Sequence, residues 1–402
     1  MELNLQFGYG MMEHCRHLTE QWNGGTTILS PRDLSSAQLN QLSQQIINIP
    51  NGKVLLDPQF YLPHSEHSRL CSHDYWPSDY QTGIFWEGQR CTDLINALFN
   101  INRSLGCSEV ILPGLLATTI DDDWLNTQQA FIDEGLAISN GLCVLATIAL
   151  SADATRNETQ IARLMDASDN WEPHGYYIVC EHPNGKYLVD DPTWTTNIID
   201  LAAGLKLRGK KVILGYCNHQ MLLASVAKVD GIASGTWMNV RSFPPEKFRG
   251  NQEEVIRQRA TWYYCPQALS EFGTSYLDLA KQQGVLDQMS PSSDLTNVYL
   301  AGLFSGAVPT SSGFTEQLAF RHYLHCLRIQ SQNSVKPTFD LTVDHHQTLL
   351  RNARQLLSDL HTAGIKGQAR DFMDSLDANE SALSVIRSTR GPLLRRNWGN
   401  IQ

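Results

Sequence analysis

The chain has 402 residues, 42% hydrophobic and 18% charged, with a formal net charge of −10. That length accommodates one large domain with an appendage, or two domains, with ample apolar material for a core. The acidic balance argues against a protein that coats a nucleic-acid backbone, and the lack of a run of about 18 apolar residues argues against a membrane span.

Met1-Glu2-Leu3-Asn4 lacks the basic-then-apolar layout of a secretory leader. The nine cysteines are scattered singly, and no CxxC pair occurs. An odd count without a leader predicts reduced thiols in the cytoplasm, and the spacing gives no zinc ribbon. The loop "HSEHSRLCSHD" gathers His64, His67, Cys71, His73 and Asp74. It is read as a polar loop, so neither a metal nor a cofactor is expected.

From the N-terminus, eight short apolar runs end in Gly, Pro, Ser, Asp or Asn: residues 3–8, 26–30, 53–57, 109–113, 142–148, 176–181, 211–215 and 231–235. Amphipathic segments lie between them. "SSAQLNQLSQQII" starts behind Ser35, a good N-cap, and "CTDLINALFNINRSLG" stops at Gly106. "DDDWLNTQQAFIDEGLAI", "NETQIARLMDAS", "IIDLAAGLKLRG" and "HQMLLASVAKV" are also predicted to be helical. Strands alternating with helices predict a parallel sheet. Eight such units predict an α/β fold of the (β/α)8 TIM-barrel type over residues 1–250. An open doubly wound sheet is the alternative, but "FGYGMMEHC" is not its Gly-rich phosphate turn. From 251 to 402 the pattern changes to helices alone, which predicts an all-helical C-terminal domain. The basic cluster Arg387, Arg390, Arg395 and Arg396 near its end is read as a solvated tail.

Barrels keep their chemistry at the C-terminal ends of their strands, so those ends supply the candidate site. Asp57 and Glu181 are candidate catalytic carboxylates, able to act as nucleophile or as general acid and base. Arg32 and Arg241 could clamp an anionic group. Tyr61, Tyr216 and Trp237 could stack on a planar ring, while Gln59, Asn218, His219 and Asn239 could read its hydrogen-bonding edge. The third run, "KVLLDPQFYLPH", carries three of these residues. The strand-four and strand-seven ends, Pro113-Gly114 and Gly215-Tyr216, lack the carboxylate pair of the large retaining-glycosidase group, and strand one lacks the His-x-His of metal-dependent amidohydrolases.

The order of elements resembles the tRNA-guanine transglycosylase superfamily, including its DNA-acting relatives. "LLDPQF" sits where that family places its base-recognising aspartate, "KVDGIASGTWMNVR" is similar in placement to its last strand, and "FRHYLHCLRIQ" to its C-terminal helix. The resemblance implies a transferase of glycosyl type acting on a nucleobase or nucleoside, with nucleic acid as one form of substrate. The family's closely spaced zinc cysteines have no counterpart, since Cys265 and Cys326 stand alone. Pro58-Gln59 replace the glycines after the aspartate.

Two other readings stay open. A non-catalytic scaffold would use helix 314–330 to bind a second copy or another protein. A papain- or transglutaminase-like hydrolase would use Cys143, His174 and Asp191, drawn from "NGLCVLATIAL" and "HGYYIVCEHPNGKYLVDDPTW".

Overall fold

The computed structural model describes residues 1–62, 64–77, 84–250, 260–300 and 302–401. Its first part alternates strands and helices: β1 (Glu2–Gln6), α1 (Met12–Gln21), β2 (Gly25–Leu29), α2 (Ser36–Ile47), β3 (Gly52–Leu56) and α3 (Gly88–Leu105). Then follow β4 (Glu109–Ile111), β5 (Leu116–Ala117), α4 (Asp122–Ala137), β6 (Cys143–Leu150), α5 (Ala152–Arg156) and α6 (Glu158–Ser168). The series ends with β7 (Gly175–Cys180), α7 (Pro192–Leu207), β8 (Lys211–Leu214) and β9 (Gly231–Ser234). Every run predicted as a strand forms one. The extra strand is β5, two residues that continue the pairing of β6 beyond β4.

The strands hydrogen-bond in the order β3-β2-β1-β9-β8-β7-β6-β4, and all these pairs are parallel. The first strand in the chain therefore lies beside the last of the series, Leu3 opposite Ile232. This curls the sheet in the manner of a TIM barrel. Its two edges, β3 and β4, come within reach of each other, and the amide of Ser108 donates to the carbonyl of Val54 at 3.2 Å. Helices cover the outer face, so the strands are apolar along their length; all six residues of β7 are buried.

Local signals set the helix boundaries. Ser35 caps α2 through the Gln38 amide at 3.4 Å, and the Gln38 side chain accepts from the Ser35 amide at 2.9 Å, forming a capping box. Ser35→Ala should cost about 1 kcal/mol in urea unfolding, because the Gln38 amide loses the hydroxyl that caps it. Gly106 ends α3 at φ 69°, in the left-handed region that glycine enters freely. The segment after β8 departs from the helix expected there: His219–Ala227 is a run of 3-10 turns, stopped by Lys228 at φ 55°.

The remaining elements are β10 (Trp262–Cys265), β11 (Ser270–Gly273), α8 (Thr274–Gln282), α9 (Glu316–Ser334), α10 (Phe339–Thr362), α11 (Leu376–Thr389) and α12 (Gly391–Asn397). The expectation of helices alone from 251 to 402 is corrected here. Residues 251–259 lie outside the described ones, and β10 and β11 pair antiparallel, with Tyr264 opposite Glu271. The aromatic run Trp262-Tyr263-Tyr264 favours a strand, and Pro266 disfavours helical backbone just before it. "NVYLAGLFSG" forms only one 3-10 turn, Val298–Leu300, among its described residues.

One contiguous buried cluster joins sheet residues such as Leu3 and Ile232 to helix residues such as Leu324 and Leu383. α9 lies along β1, and α11 packs on α7. At one end of α9, Phe320 meets Trp237 edge-on at 4.8 Å; towards its other end, Arg328 donates to the Gly24 carbonyl at 3.2 Å. α9 thus takes the place that a barrel gives to the helix after its last strand. In the basic cluster, Arg390 pairs with Asp200 at 2.7 Å and Arg395 with Asp340 at 2.8 Å. No helix among the described residues is long and apolar enough to cross a membrane.

Candidate active site

Side chains from beyond β3 and β8 and from within β7 meet at one carboxylate, and the ends of β1 and β2 join them through Gln6 and Ser30. Asp57 extends β3 by one residue, its amide donating to the Leu29 carbonyl at 3.1 Å, and its side chain is fully buried. After Pro58 the chain turns through Gln59 at φ 56°, a left-handed backbone that costs about 1 kcal/mol or more outside glycine and asparagine. The turn returns the Gln59 amide to Asp57 Oδ1 at 3.0 Å and the Tyr61 hydroxyl to both carboxylate oxygens at 2.8 Å. A second left-handed residue, Tyr216 at φ 53° beyond β8, donates its hydroxyl to Asp57 Oδ2 at 2.9 Å.

The network extends into the sheet. Tyr177 of β7 has its hydroxyl 3.4 Å from Asp57 Oδ2 and donates to Gln6 Oε1 of β1 at 2.8 Å. Gln59 Nε2 donates to Ser30 Oγ at 2.9 Å and to the Tyr216 hydroxyl at 3.1 Å, and Gln59 Oε1 accepts from the Arg32 amide at 2.8 Å. Ser30 Oγ in turn donates to Asp33 Oδ2 at 2.8 Å. Gly215 makes room for this arrangement, because a Cβ there would lie 2.4 Å from the Tyr177 hydroxyl oxygen.

Burial raises the Asp57 carboxyl to about 6, against the opposing pull of the Tyr61 and Tyr216 hydroxyls, the Gln59 amide and Tyr177. A carboxylate with that affinity for protons is suited to proton transfer near neutral pH. Burial also pushes the phenols of Tyr61, Tyr177 and Tyr216 well above their usual value, so they remain hydrogen-bond donors.

The segment after β9 covers this network. Phe243 and Phe248 meet the Tyr61 ring edge-on at 4.8 and 4.9 Å. Phe243 is also next to Tyr216, and the Glu66 amide donates to the Arg249 carbonyl at 2.7 Å. Only a void of about 10 Å³ remains between the cover and Arg32, Gln59, Tyr216 and Asn239. A much larger cavity, about 680 Å³, is at the opposite end of the sheet. The chemistry is still assigned to Asp57, because strand C-termini are where barrels converge their polar groups and where this carboxylate is perturbed.

Of the residues picked from sequence, Asp57, Gln59, Tyr61 and Tyr216 form one network, with Arg32 and Asn239 at its edge. The Arg32 guanidinium is held by the Lys247 carbonyl at 2.8 Å and by Asp33 at 2.9 Å. Glu181 is not a partner of Asp57: its carboxylate accepts from the Ala152 amide at 3.1 Å, at the free N-terminal turn of α5. Arg241 is fully buried and spends its charge on Glu271 at 3.1 Å, its guanidinium carbon 3.4 Å from the Tyr323 ring centre. Asn218 caps the following 3-10 turn by accepting from the Gln220 amide at 2.8 Å. His219 is buried among the rings of Tyr187, Tyr264, Tyr323 and Phe372, where burial lowers it to about 4. The Trp237 indole donates to the Tyr9 carbonyl at 3.0 Å, outside the network.

Tyr177 and Gln6 were missed by the sequence reading. The polar residue inside the first apolar run, Gln6 in "LNLQFG", was the available signal.

The cysteine triad does not assemble. Cys143 opens β6 and His174 precedes β7, the imidazole Nδ1 accepting from the Val144 amide at 3.1 Å. Asp191 lies at the other end of the sheet, capping α7 and pairing with Arg156 at 2.6 Å. One strand length, roughly 20 Å, separates the two ends. In the histidine loop, His73 Nε2 is 2.8 Å from the Pro31 carbonyl, while His67 Nδ1 accepts from the Leu70 amide at 3.5 Å. Among the described residues, no group of three or more His, Cys, Asp or Glu is placed to hold a metal ion.

No family model matches this chain, and no curated protein matches it in sequence. Among solved structures it is similar to the chloride-inhibited dihydrodipicolinate synthase from Acinetobacter baumannii complexed with pyruvate. The identity is 11% and the TM-score 0.31, over 90% of this chain and 98% of that one. It is also similar to a xylose isomerase-like TIM barrel/4-hydroxyphenylpyruvate dioxygenase fusion protein, with 12% identity and a TM-score of 0.33 over 70% of this chain and 50% of that one. Both superpositions are too loose to carry an argument about function.

Proposed function

We propose that this chain is a TIM-barrel enzyme that performs proton transfer or nucleophilic chemistry with Asp57 on a planar, polar substrate, in its narrowest form a nucleobase or nucleoside. The observation that carries the reading is the wholly buried Asp57 carboxylate, raised to about 6 and addressed by three tyrosine hydroxyls and one amide. Substrate reaches it when the cover bearing Phe243 and Phe248 lifts away. The Tyr61 and Tyr216 rings then offer stacking faces, and the Asn239 amide offers a donor and an acceptor for a ring edge, while Gln59 holds the Tyr216 hydroxyl in place. The nucleobase assignment rests on these groups and on the sequence resemblance to transglycosylases. Glycosyl transfer would use the carboxylate as nucleophile or base, with the phenols stabilising charge as it develops.

The test is a screen of free bases and nucleosides for base exchange or glycosidic cleavage, read by chromatography, with a native mass spectrum of the protein as purified. Turnover of one class, or a bound mass that matches it, supports the reading. No turnover and no bound mass across the panel would remove the nucleobase assignment. Turnover that survives Asp57→Asn would remove the site itself.

A further inference from the structure

We infer that the N-terminal mouth of the curled sheet is a second binding site, for a small zwitterion that carries an ammonium and a carboxylate on a short frame. This inference is independent of the Asp57 reading, since the two sites lie at opposite ends of the strands. The cavity there has a volume of about 680 Å³, within the range of small-molecule sites. The starts of β1, β2, β3, β4, β8 and β9 form it, with Arg328 of α9 at its side.

Its size follows from the residues. A barrel normally fills each interior layer with bulky branched side chains. Here the inward-facing positions at this end include Asn4 and Gly231, while Gly25 faces outward, towards Trp22 and Arg328. A Cβ on Gly231 would lie 2.8 Å from Asn4 Nδ2.

Two observations point to a ligand. The first is Asn4, which is 6% exposed and lines the cavity, with its amide on the face that also carries Gly231. An amide that lines a cavity offers a guest both a donor and an acceptor. The second is the charge pattern: Glu2, Glu109 and Asp230 oppose Lys53, Lys211 and Arg328 around the cavity. Some of these charges are already matched. Lys211 pairs with Glu109 at 2.6 Å, and Asp230 with Lys206 at 2.7 Å. Glu2 and Lys53 line the same cavity, both are exposed, and neither side chain forms an ion pair with a described residue. An anion alone would meet Glu2 and Asp230, and a cation alone would meet Lys53 and Arg328. A zwitterion satisfies both signs.

The free L-amino acids are the probes, each compared with its N-acetyl and its amide derivative by calorimetry and by the shift in melting temperature. At least one free amino acid should bind saturably while both blocked forms fail. Asn4→Leu and Lys53→Glu should each weaken that binding by about tenfold or more. Lys53 is exposed, so its variant keeps the test decisive if Asn4→Leu does not fold. Absence of saturable binding tighter than about 1 mM across the panel overturns the inference. So do equal binding of blocked and free forms, and parental binding in Lys53→Glu.

Discussion

Asp57→Asn will lower turnover by about 100- to 10,000-fold and, relative to the parent, will gain stability as the pH rises. The two effects share a cause. The folded protein holds the Asp57 carboxyl at about 6, against 3.8 for an unburied aspartate. Between those values the folded state binds more protons than the unfolded one, so stability falls as pH increases. The contribution is complete below about pH 4 and is lost as pH rises through about 6. The gap of about two units corresponds to about 3 kcal/mol. Asparagine retains a carbonyl for Tyr61 and the Gln59 amide but does not ionise. Urea unfolding from about pH 4 to pH 7 should therefore show the variant-minus-parent difference growing by up to about 3 kcal/mol in the variant's favour. A flat difference would mean that Asp57 is not perturbed. Loss of activity together with this gain marks a group kept at a cost to the fold.

Glu271→Gln has the second large effect, in the opposite direction. Glu271 is fully buried and accepts from Arg241 Nη1 at 3.1 Å, Arg370 Nη1 at 2.7 Å and the Tyr187 hydroxyl at 2.8 Å. Although burial opposes ionisation, Arg370 and then Arg241 hold this carboxyl at about 2. Its contribution is present above about pH 4.5 and disappears as the pH falls towards 2. Glutamine leaves a buried guanidinium at Arg241 without its counter-charge, and breaking a buried pair in this way costs about 3–5 kcal/mol. Urea unfolding at neutral pH should register that loss. Glu271→Gln combined with Arg241→Met should recover part of it, because no orphaned cation remains at that position. If the double variant is as unstable as the single one, the pairing with Arg241 is not the source.

The eight strands were legible because each is a short, largely apolar run bounded by turn residues, and burial on both faces leaves that signature intact. Asp57, Gln59, Tyr61 and Tyr216 were legible from position alone, as residues just beyond a strand. Tyr177 and Gln6 were not, because they sit within strands whose inward face cannot be assigned without knowing the curl of the sheet. The left-handed backbone at Gln59 and Tyr216 gives no sequence signal, since neither is glycine or asparagine; only surrounding contacts hold it. Arg241 was assigned to a substrate because its partner, Glu271, lies in a stretch read as a helix. With β10 and β11 in place, that glutamate faces the strand ends and takes the charge. The short 3-10 run after β8 leaves the outer face there to the last third of the chain, a demand that no local pattern announces.

The position of β1 also constrains how the chain is made. β1 needs β9, which begins at Gly231, and α9, which ends at Ser334, before its flanks are covered. At ribosomal speeds that interval is on the order of tens of seconds, during which β1 to β3 present unpaired edges. Such long-range closure is slow once the chain is complete. A nascent chain stalled before residue 231 should be captured by chaperones and cut readily by protease, and release should come only after α9 has emerged.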